Sequence, residues 1–179
     1  MNKFLTLTKE QRAAVFERVG ASVGLPMQAV EKDFWVTVIL QAVFSLPVAQ
    51  HLIFKGGTSL SKAWGLISRF SEDIDLAVNP MALGAAEGDL TKKQIKKLRK
   101  ASSLFVSEQL TPMLCAKINE MGMSAFLNIE AQPNGEGDNT YPEPRQIYIR
   151  YQSVFEKPLT YLRPDVVLEV SARSLIEPA

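Results

Sequence analysis

The amino-acid sequence predicts an α/β (α+β) fold in which a mixed β-sheet is flanked by helices and preceded by an N-terminal helical segment. Apolar residues recur at helical spacing through the first fifty residues, whereas several later stretches alternate with the period of a strand. Helices that lie before and between strands are typical of proteins with a mixed sheet. The length of 179 residues fits one domain, with helices over 1–50 and the sheet core over 51–179.

The composition excludes several classes of protein. The composition, with 46% hydrophobic and 22% charged residues, is that of an ordinary globular protein. The net charge of +1 does not indicate a nucleic-acid partner. Cys115 is the only cysteine and His51 the only histidine, which excludes a disulfide within the chain and a cysteine zinc site. No signal peptide or membrane span is expected, so the predicted location is cytoplasmic.

Two helices are expected before the sheet. Thr8, followed by a glutamine three residues later, predicts the N-cap of a first helix that runs to about Val19. Pro26 predicts the start of a second helix, and Pro47 predicts its end. The second helix contains the segment 31–35, Glu-Lys-Asp-Phe-Trp, which the pattern alone indicates is a charged turn beside an aromatic core anchor.

The stretch 52–78 carries the first candidate site, because a short apolar strand runs into a glycine pair and a helix. Gly56 and Gly57 permit backbone conformations closed to other residues and let a phosphate approach the backbone N–H groups. The hydroxyl of Thr58 or Ser59 adds a further donor. The spacing matches neither a Walker A loop nor a dinucleotide-binding fingerprint.

The strand that follows begins with two aspartates one residue apart, Asp73 and Asp75. On a strand, residues i and i+2 share a face with Cα atoms about 6.6 Å apart. Two carboxylates at this separation are suited to a hard divalent cation such as Mg²⁺. The sequence therefore places a candidate metal site beside a candidate phosphate site.

The last third of the chain is predicted to form strands over 125–131, 147–155 and 165–170. On the third of these, Glu169 faces away from the valines and leucine that alternate with it. If this strand neighbours the strand after Asp73, Glu169 completes a triad of carboxylates. Such a triad is what two-metal phosphoryl or nucleotidyl transfer requires.

A loop over 79–88 and a long helix over 92–121 are expected between these strands, with Asp89 or Thr91 as the N-cap. Pro112 is expected to kink or split the helix. Its first turns are strongly basic, which indicates either a solvated face or contact with an RNA backbone. The basic residues are Lys92, Lys93, Lys96, Lys97, Arg99 and Lys100.

Four separated segments resemble the signature of the AbiEii/AbiGii-type nucleotidyltransferase toxins, members of the DNA polymerase β-like superfamily. These are FKGGTSL at 54–60, RFSEDIDL at 69–76, EKDFW at 31–35 and LEVSARS at 168–174. Four matches in the right order are more specific than any one of them alone. The resemblance implies a nucleotidyltransferase-like fold, and the family's helical C-terminal region is expected to be absent from this chain.

The resemblance also implies an activity and partners. It implies the toxin of a type IV toxin–antitoxin or phage-defence system, which binds a nucleoside triphosphate (NTP) with Mg²⁺, or alternatively Mn²⁺, and has a cognate antitoxin. Characterised relatives add nucleotides to tRNA acceptor ends. The implied metal ligands and catalytic acids are Asp73, Asp75 and Glu169. The implied nucleotide and phosphate contacts are Gly56, Gly57, Thr58, Ser59, Lys62 and Arg69.

Two other functions remain compatible with the sequence. In the first, the nucleotide is transferred to a protein side chain or a small molecule instead of RNA, although the lysines of 92–100 favour RNA. A catalytically incomplete fragment that binds RNA or an antitoxin without turnover is the alternative from a different class.

Overall fold

A five-stranded mixed sheet forms the centre of the fold. The computed structural model describes residues 2–66, 73–85, 88, 90–132, 145–156 and 162–172. The strands are β1 (Leu52–Lys55), β2 (Ile74–Val78), β3 (Leu127–Ala131), β4 (Gln146–Tyr151) and β5 (Asp165–Ser171), in the spatial order β1-β2-β5-β4-β3. β2 and β5 are parallel and the other neighbours are antiparallel, which confirms the predicted mixed sheet.

Helices cover the sheet and precede it in the chain. The α-helices are α1 (Asn2–Leu5), α2 (Lys9–Val23), α3 (Met27–Phe44), α4 (Gly56–Lys62), α5 (Lys92–Leu104) and α6 (Thr111–Glu120). Two short 3₁₀ helices span Pro47–His51 and Pro80–Leu83, and a π-helical turn, Phe105–Leu110, joins α5 to α6.

The predicted start signals of the first two long helices are confirmed. The Thr8 hydroxyl accepts a hydrogen bond from the Gln11 amide at 3.3 Å, and the Gln11 side chain accepts one from the Thr8 amide at 3.0 Å. This reciprocal capping box satisfies two backbone donors at the start of α2. α3 begins directly after Pro26 but ends at Phe44, and Pro47 opens a separate 3₁₀ helix.

The first long helix extends beyond its predicted end at Val19 and stops at Val23. Gly20 remains helical and buried, and a Cβ atom there would lie 2.6 Å from the carbonyl oxygen of Leu25. The glycine therefore lets the chain that leaves α2 pack back over the helix. Gly24, at φ 71°, takes the left-handed conformation that ends the helix.

The interpretation of 31–35 as a charged turn is wrong. Glu31 and Lys32 are only 1% and 2% exposed, so both lie inside the protein. The Glu31 carboxylate accepts a hydrogen bond from the Ser153 hydroxyl at 2.6 Å and one from the Val154 amide at 2.8 Å. Burial is tolerated because these donors replace water, and the carboxylate fastens α3 to the chain that follows β4.

The other half of the same segment forms the predicted aromatic anchor. Trp35 stacks on Tyr151 of β4 with ring centroids 5.8 Å apart, and its ring edge meets Phe34 at 5.2 Å. Further aromatic contacts join α1, α2 and α3 to the sheet through Phe4, Phe16, Phe126 and Phe155. The N-terminal helices therefore share one core with the sheet.

One face of the central strands is apolar and buried, as predicted, and the opposite face carries the acids. The buried residues of β2 and β5 that alternate with the polar ones are Ile74, Leu76, Val78, Val166, Leu168 and Val170. Because side chains alternate along a strand, Asp75 and Glu169 project from the opposite face of the same two strands.

The segment between β2 and β3 differs from the expectation at its start. Within 79–85, Asn79 caps a 3₁₀ helix, whereas a plain loop was expected. Thr91 caps α5 as predicted, with Gln94 completing a capping box, whereas Asp89 lies outside the described residues. The long helix expected over 92–121 is divided into α5 and α6, as the expectation at Pro112 allowed. The π-helical turn directly before α6 accommodates this residue, which lacks an N–H group.

We predict that Glu31→Ala lowers the free energy of unfolding by about 2–4 kcal/mol, because it leaves the buried Val154 amide and the partly buried Ser153 hydroxyl without their acceptor. Glu31→Gln keeps an acceptor for the Val154 amide, so its loss should be smaller. Urea denaturation at neutral pH measures both variants. Equal stability of Glu31→Ala and the wild type would contradict the anchoring role.

The pH dependence of stability provides a second readout of the same carboxylate. Burial raises the pKa of Glu31 above its ordinary value of 4.5, against the opposing hydrogen bonds from Ser153 and Val154. The folded state thus holds this proton more tightly than the unfolded state. Its contribution to stability therefore falls as pH rises from about 4.5 through the raised pKa. The stability difference between wild type and Glu31→Gln should follow this trend, and parallel pH curves would contradict it.

Candidate active site

A row of four polar residues crosses the open face of the sheet. Lys55 of β1 pairs with Asp75 of β2, Asp75 pairs with Glu169 of β5, and Glu169 pairs with Gln146 of β4. Directly paired residues of adjacent strands project to the same side. The predicted adjacency of the two acidic strands is thereby confirmed, and it places a pair of carboxylates between a lysine and a glutamine.

The glycine at the end of β1 lies directly against the first of these carboxylates. A Cβ atom on Gly56 would overlap Asp75 Oδ2 and lie 2.9 Å from Asp75 Cγ. Gly56 also has φ 75°, a conformation that other residues rarely adopt. Glycine is needed here for two independent reasons, and the turn that carries it packs against the carboxylate of Asp75.

Thr58 and Ser59, the next residues of the turn after the glycines, are buried, and Thr58 contacts Asp73. Thr58 is 1% exposed, and its hydroxyl donates a hydrogen bond to the backbone carbonyl of Asp73. Ser59 is also buried, at 4% exposure. The Thr58 hydroxyl therefore ties α4 to the start of the acidic strand, a contact that the sequence did not indicate.

Glu169 is held in place by a chain of two hydrogen bonds. The Tyr148 hydroxyl donates to Gln146 Oε1 at 3.0 Å, and Gln146 Nε2 donates to Glu169 Oε2 at 3.3 Å. The first bond sets the orientation of the amide, so the nitrogen of Gln146 faces the carboxylate. One oxygen of Glu169 is thus occupied, and Oε1 receives no hydrogen bond from this chain of donors.

Two of the three predicted acids form a pair across adjacent strands, and the third lies next to one of them in the chain. Asp75 and Glu169 lie opposite each other, whereas Asp73 is exposed and precedes the first residue of β2. Among the described residues, no three His, Cys, Asp or Glu side chains are grouped to hold a metal ion. Mg²⁺ typically takes one or two protein carboxylates and keeps water or substrate phosphate in its other positions, so the oxygen donors of the pair fit it.

The structure does not bring Lys62 to this row. Its ammonium pairs with the Asp33 carboxylate at 2.7 Å and donates to the Thr37 hydroxyl at 3.1 Å. The side chain lines a cavity of about 350 Å³ together with Phe54, whose partner Leu76 faces the core. Phe54 and Lys55 point to opposite faces of β1, so the cavity lies on the other side of the strand from Asp75. Arg69 lies outside the described residues.

Lys55, Gln146 and Tyr148 are members of the site that the sequence analysis missed. Lys55 directly precedes the glycine pair, and this position in the sequence could have identified it as a member of the site. Gln146 and Tyr148 are separated from Glu169 by about twenty residues, and only strand pairing brings them together. No local pattern in the sequence reports this contact.

Comparison with known families agrees with this arrangement. The model of the nucleotidyl transferase AbiEii toxin of type IV toxin–antitoxin systems matches residues 38–179. The chain belongs to the AbiEii family. Comparisons with curated proteins and with solved structures found no match. The matched range contains the whole polar row and the glycine turn, whereas the segment 31–35 precedes it.

Membership in the AbiEii family shows that the protein has a nucleotidyl transferase fold and is the toxin of a toxin–antitoxin system. Its partner in such a system is a cognate antitoxin. In the part of the chain that the structure describes, no helix is long and apolar enough to cross a membrane.

We predict that Gly56→Ala abolishes nucleotidyl transfer, because the added methyl group displaces the Asp75 carboxylate. Gly84→Ala is the matched control: Gly84 also has a positive φ of 79°, but a methyl group added there would have no atom within 4 Å. Both substitutions strain the backbone by about 1 kcal/mol or more, and the close contact adds a further cost in Gly56→Ala. Thermal unfolding checks that both variants are folded at the assay temperature. Loss of activity in both variants, or in neither, would contradict the role of the close contact.

Proposed function

We propose that this AbiEii-family protein is a metal-dependent nucleotidyltransferase that transfers a nucleotide from an NTP to an RNA acceptor. The specific acceptor proposed from the family resemblance is the 3′ end of tRNA. The observation that carries the proposal is the direct pairing of Asp75 with Glu169 on adjacent parallel strands. Two carboxylates that face one side of a sheet at a strand spacing of about 4.8 Å suit a cation bound to phosphate.

Asp75 and Glu169 would hold Mg²⁺, or Mn²⁺ in its place. Asp73, assigned as a third ligand from the family resemblance, would have to turn toward the pair, because the three side chains are not grouped in the described structure. When bound, such an ion screens the charge of the triphosphate and lowers the pKa of an attacking hydroxyl. Two like charges that face each other across a pair of strands destabilise the sheet. The position of Lys55 beside the pair supports its role in offsetting that repulsion.

The triphosphate is assigned to the glycine turn. Gly56 and Gly57 leave the backbone N–H groups accessible to phosphate oxygens, and the contact of Gly56 with the Asp75 carboxylate supports a position beside the acids. We assign Ser59 and Arg69 as further phosphate contacts from the family resemblance. Thr58 has a positioning role, because its hydroxyl holds the Asp73 carbonyl. Lys62 would have to leave Asp33 to reach a phosphate.

Glu169 is the proposed general base. Its Oε2 accepts from Gln146, so Oε1 is the atom assigned to take the proton of the acceptor hydroxyl. The hydroxyl oxygen then forms a bond to the α-phosphorus, and the bond to the leaving pyrophosphate breaks. Gln146 and Tyr148 keep the carboxylate oriented through this step and are positioning residues.

The biological role follows from the family. We propose that the transfer inactivates an RNA in the cytoplasm as part of phage defence, and that the cognate antitoxin counteracts it. The excess of lysine on α5 supports an RNA acceptor over a small molecule.

The proposed reaction predicts that the protein incorporates label from a radioactive NTP into bulk tRNA in the presence of Mg²⁺. Asp75→Asn should reduce the rate by at least about 10³-fold, since it removes one charge at the ion without changing side-chain shape. Each of the four NTPs is tested separately, and chelation of the metal should stop incorporation. Label on protein would instead support a protein acceptor. No incorporation and no NTP binding would overturn the proposal.

The hydrogen-bond chain predicts that Gln146→Leu lowers kcat by roughly 10–100-fold, because Glu169 loses its orienting donor. The half-saturating Mg²⁺ concentration should rise in the same variant. Tyr148→Phe should show a smaller effect in the same direction. Arg150→Gln, on an exposed position of the same strand, is the control and should leave both quantities unchanged. An unchanged Mg²⁺ dependence in Gln146→Leu would exclude the positioning role.

A further inference from the structure

The exposed side of α5 is a lysine stripe, defined as Lys92, Lys93, Lys96, Lys97 and Lys100, all of which are exposed. At 100° per residue these positions fall within an arc of about 140°, and they extend about 12 Å along the helix axis. In the described part of the chain none of the five makes an ion pair or a side-chain hydrogen bond. The stripe therefore presents five uncompensated charges on one surface.

This charge distribution destabilises the helix that carries it. Lys92 and Lys93 occupy the first turn, where the helix dipole is positive and acidic side chains are favourable, yet the first turn of α5 has no acid. Lysines four residues apart along the stripe also repel each other. A solvated face that served only solubility would gain from mixed charges, so the stripe is better explained by an anionic ligand.

The character of the surface distinguishes between classes of partner. Protein interfaces are depleted in lysine and enriched in aromatic residues and arginine. The stripe has five lysines and no aromatic residue, and the one arginine of the helix, Arg99, is half-buried at its edge. A helix that lies on a membrane needs a free apolar face, but the apolar side of α5 is packed in the core through Leu98. Lysine without aromatic residues is typical of contact with a phosphate backbone.

The position of the stripe indicates the length of the ligand. α5 packs against the 3₁₀ helix Pro80–Leu83, which follows the C-terminal end of β2. Asp75 lies three residues before that end, and this length of strand alone covers about 10 Å. A ligand that contacts both the stripe and the acid pair therefore has to be extended.

We infer that the lysine stripe of α5 binds the phosphate backbone of the acceptor RNA, several nucleotides away from the end that reacts at Asp75 and Glu169. The inference rests on the proposed function for the identity of the reaction but not for the binding itself. It implies that the acceptor is a polynucleotide, because a polynucleotide presents the repeated phosphates that five lysines along one helix can contact.

The test compares two triple variants that change the net charge equally. Lys93→Gln/Lys96→Gln/Lys97→Gln removes the middle of the stripe, and glutamine retains helix propensity. Lys3→Gln/Lys9→Gln/Arg18→Gln, at exposed positions of α1 and α2, is the control. Binding of fluorescently labelled bulk tRNA is measured by anisotropy from 50 to 300 mM KCl, with Asp75→Asn as a non-catalytic background.

The stripe variant should bind tRNA at least about tenfold more weakly at 100 mM KCl. The slope of log affinity against log KCl concentration should fall in magnitude by about 2. The control should retain the affinity and salt slope of the wild type. Thermal stability of the stripe variant should stay equal or rise, because like charges are removed from the first turns of α5. A binding role therefore predicts weaker binding without a loss of stability, whereas a folding defect would lower both.

Unchanged binding by the stripe variant would overturn the inference, and so would an equal loss in the control, which reports net charge only. Loss of binding to the cognate antitoxin with intact tRNA binding would assign the surface to a protein. If Asp75→Asn binds tRNA through the stripe but the wild type transfers no nucleotide, the proposed function is wrong and the assignment of the stripe as an RNA-binding surface is supported. If the wild type transfers nucleotide to tRNA and the stripe variant binds tRNA normally, only this inference fails.

Discussion

The parallel pairing of β2 with β5 is the constraint on which the rest of the candidate site depends. Ile74 and Leu168 are fully buried at paired positions, and their burial sets the register of the two strands. A slip of one residue would turn the apolar side chains to solvent and the acids into the core, at a cost that no local interaction offsets. The pairing that packs the core thus also places Asp75 opposite Glu169.

The neighbouring strands and turns add what two carboxylates alone lack. β1 contributes a lysine beside Asp75 and then turns at Gly56, whose missing side chain leaves room for that carboxylate. β4 contributes the amide of Gln146, which holds one oxygen of Glu169. Each of these contacts comes from the end of a strand or from a strand pairing, so the geometry of the site is a consequence of sheet topology.

The N-terminal helices support the sheet from its apolar side. The segment 31–35 has a charged half and an aromatic half, and Glu31, Lys32 and Trp35 are buried. The carboxylate binds the chain after β4, and the indole stacks on Tyr151 at the end of that strand. Since β4 also carries Gln146 and Tyr148, α3 holds in place the strand that orients Glu169. A segment outside the matched family range therefore contributes to the candidate site through packing.

The sequence by itself determined the fold class, the strand alternation, the cap at Thr8 and the family, because these depend on local patterns. It left Asp89 and Thr91 as alternative caps of α5, and the structure selects Thr91. The period of two along β2 and β5 was enough to predict which face each acid occupies. Only the tertiary structure decided the burial of Glu31, the pairing of Lys62 with Asp33, and the hydrogen bond from Gln146 to Glu169. These contacts join residues far apart in the chain, and their partners are selected by strand order and helix packing.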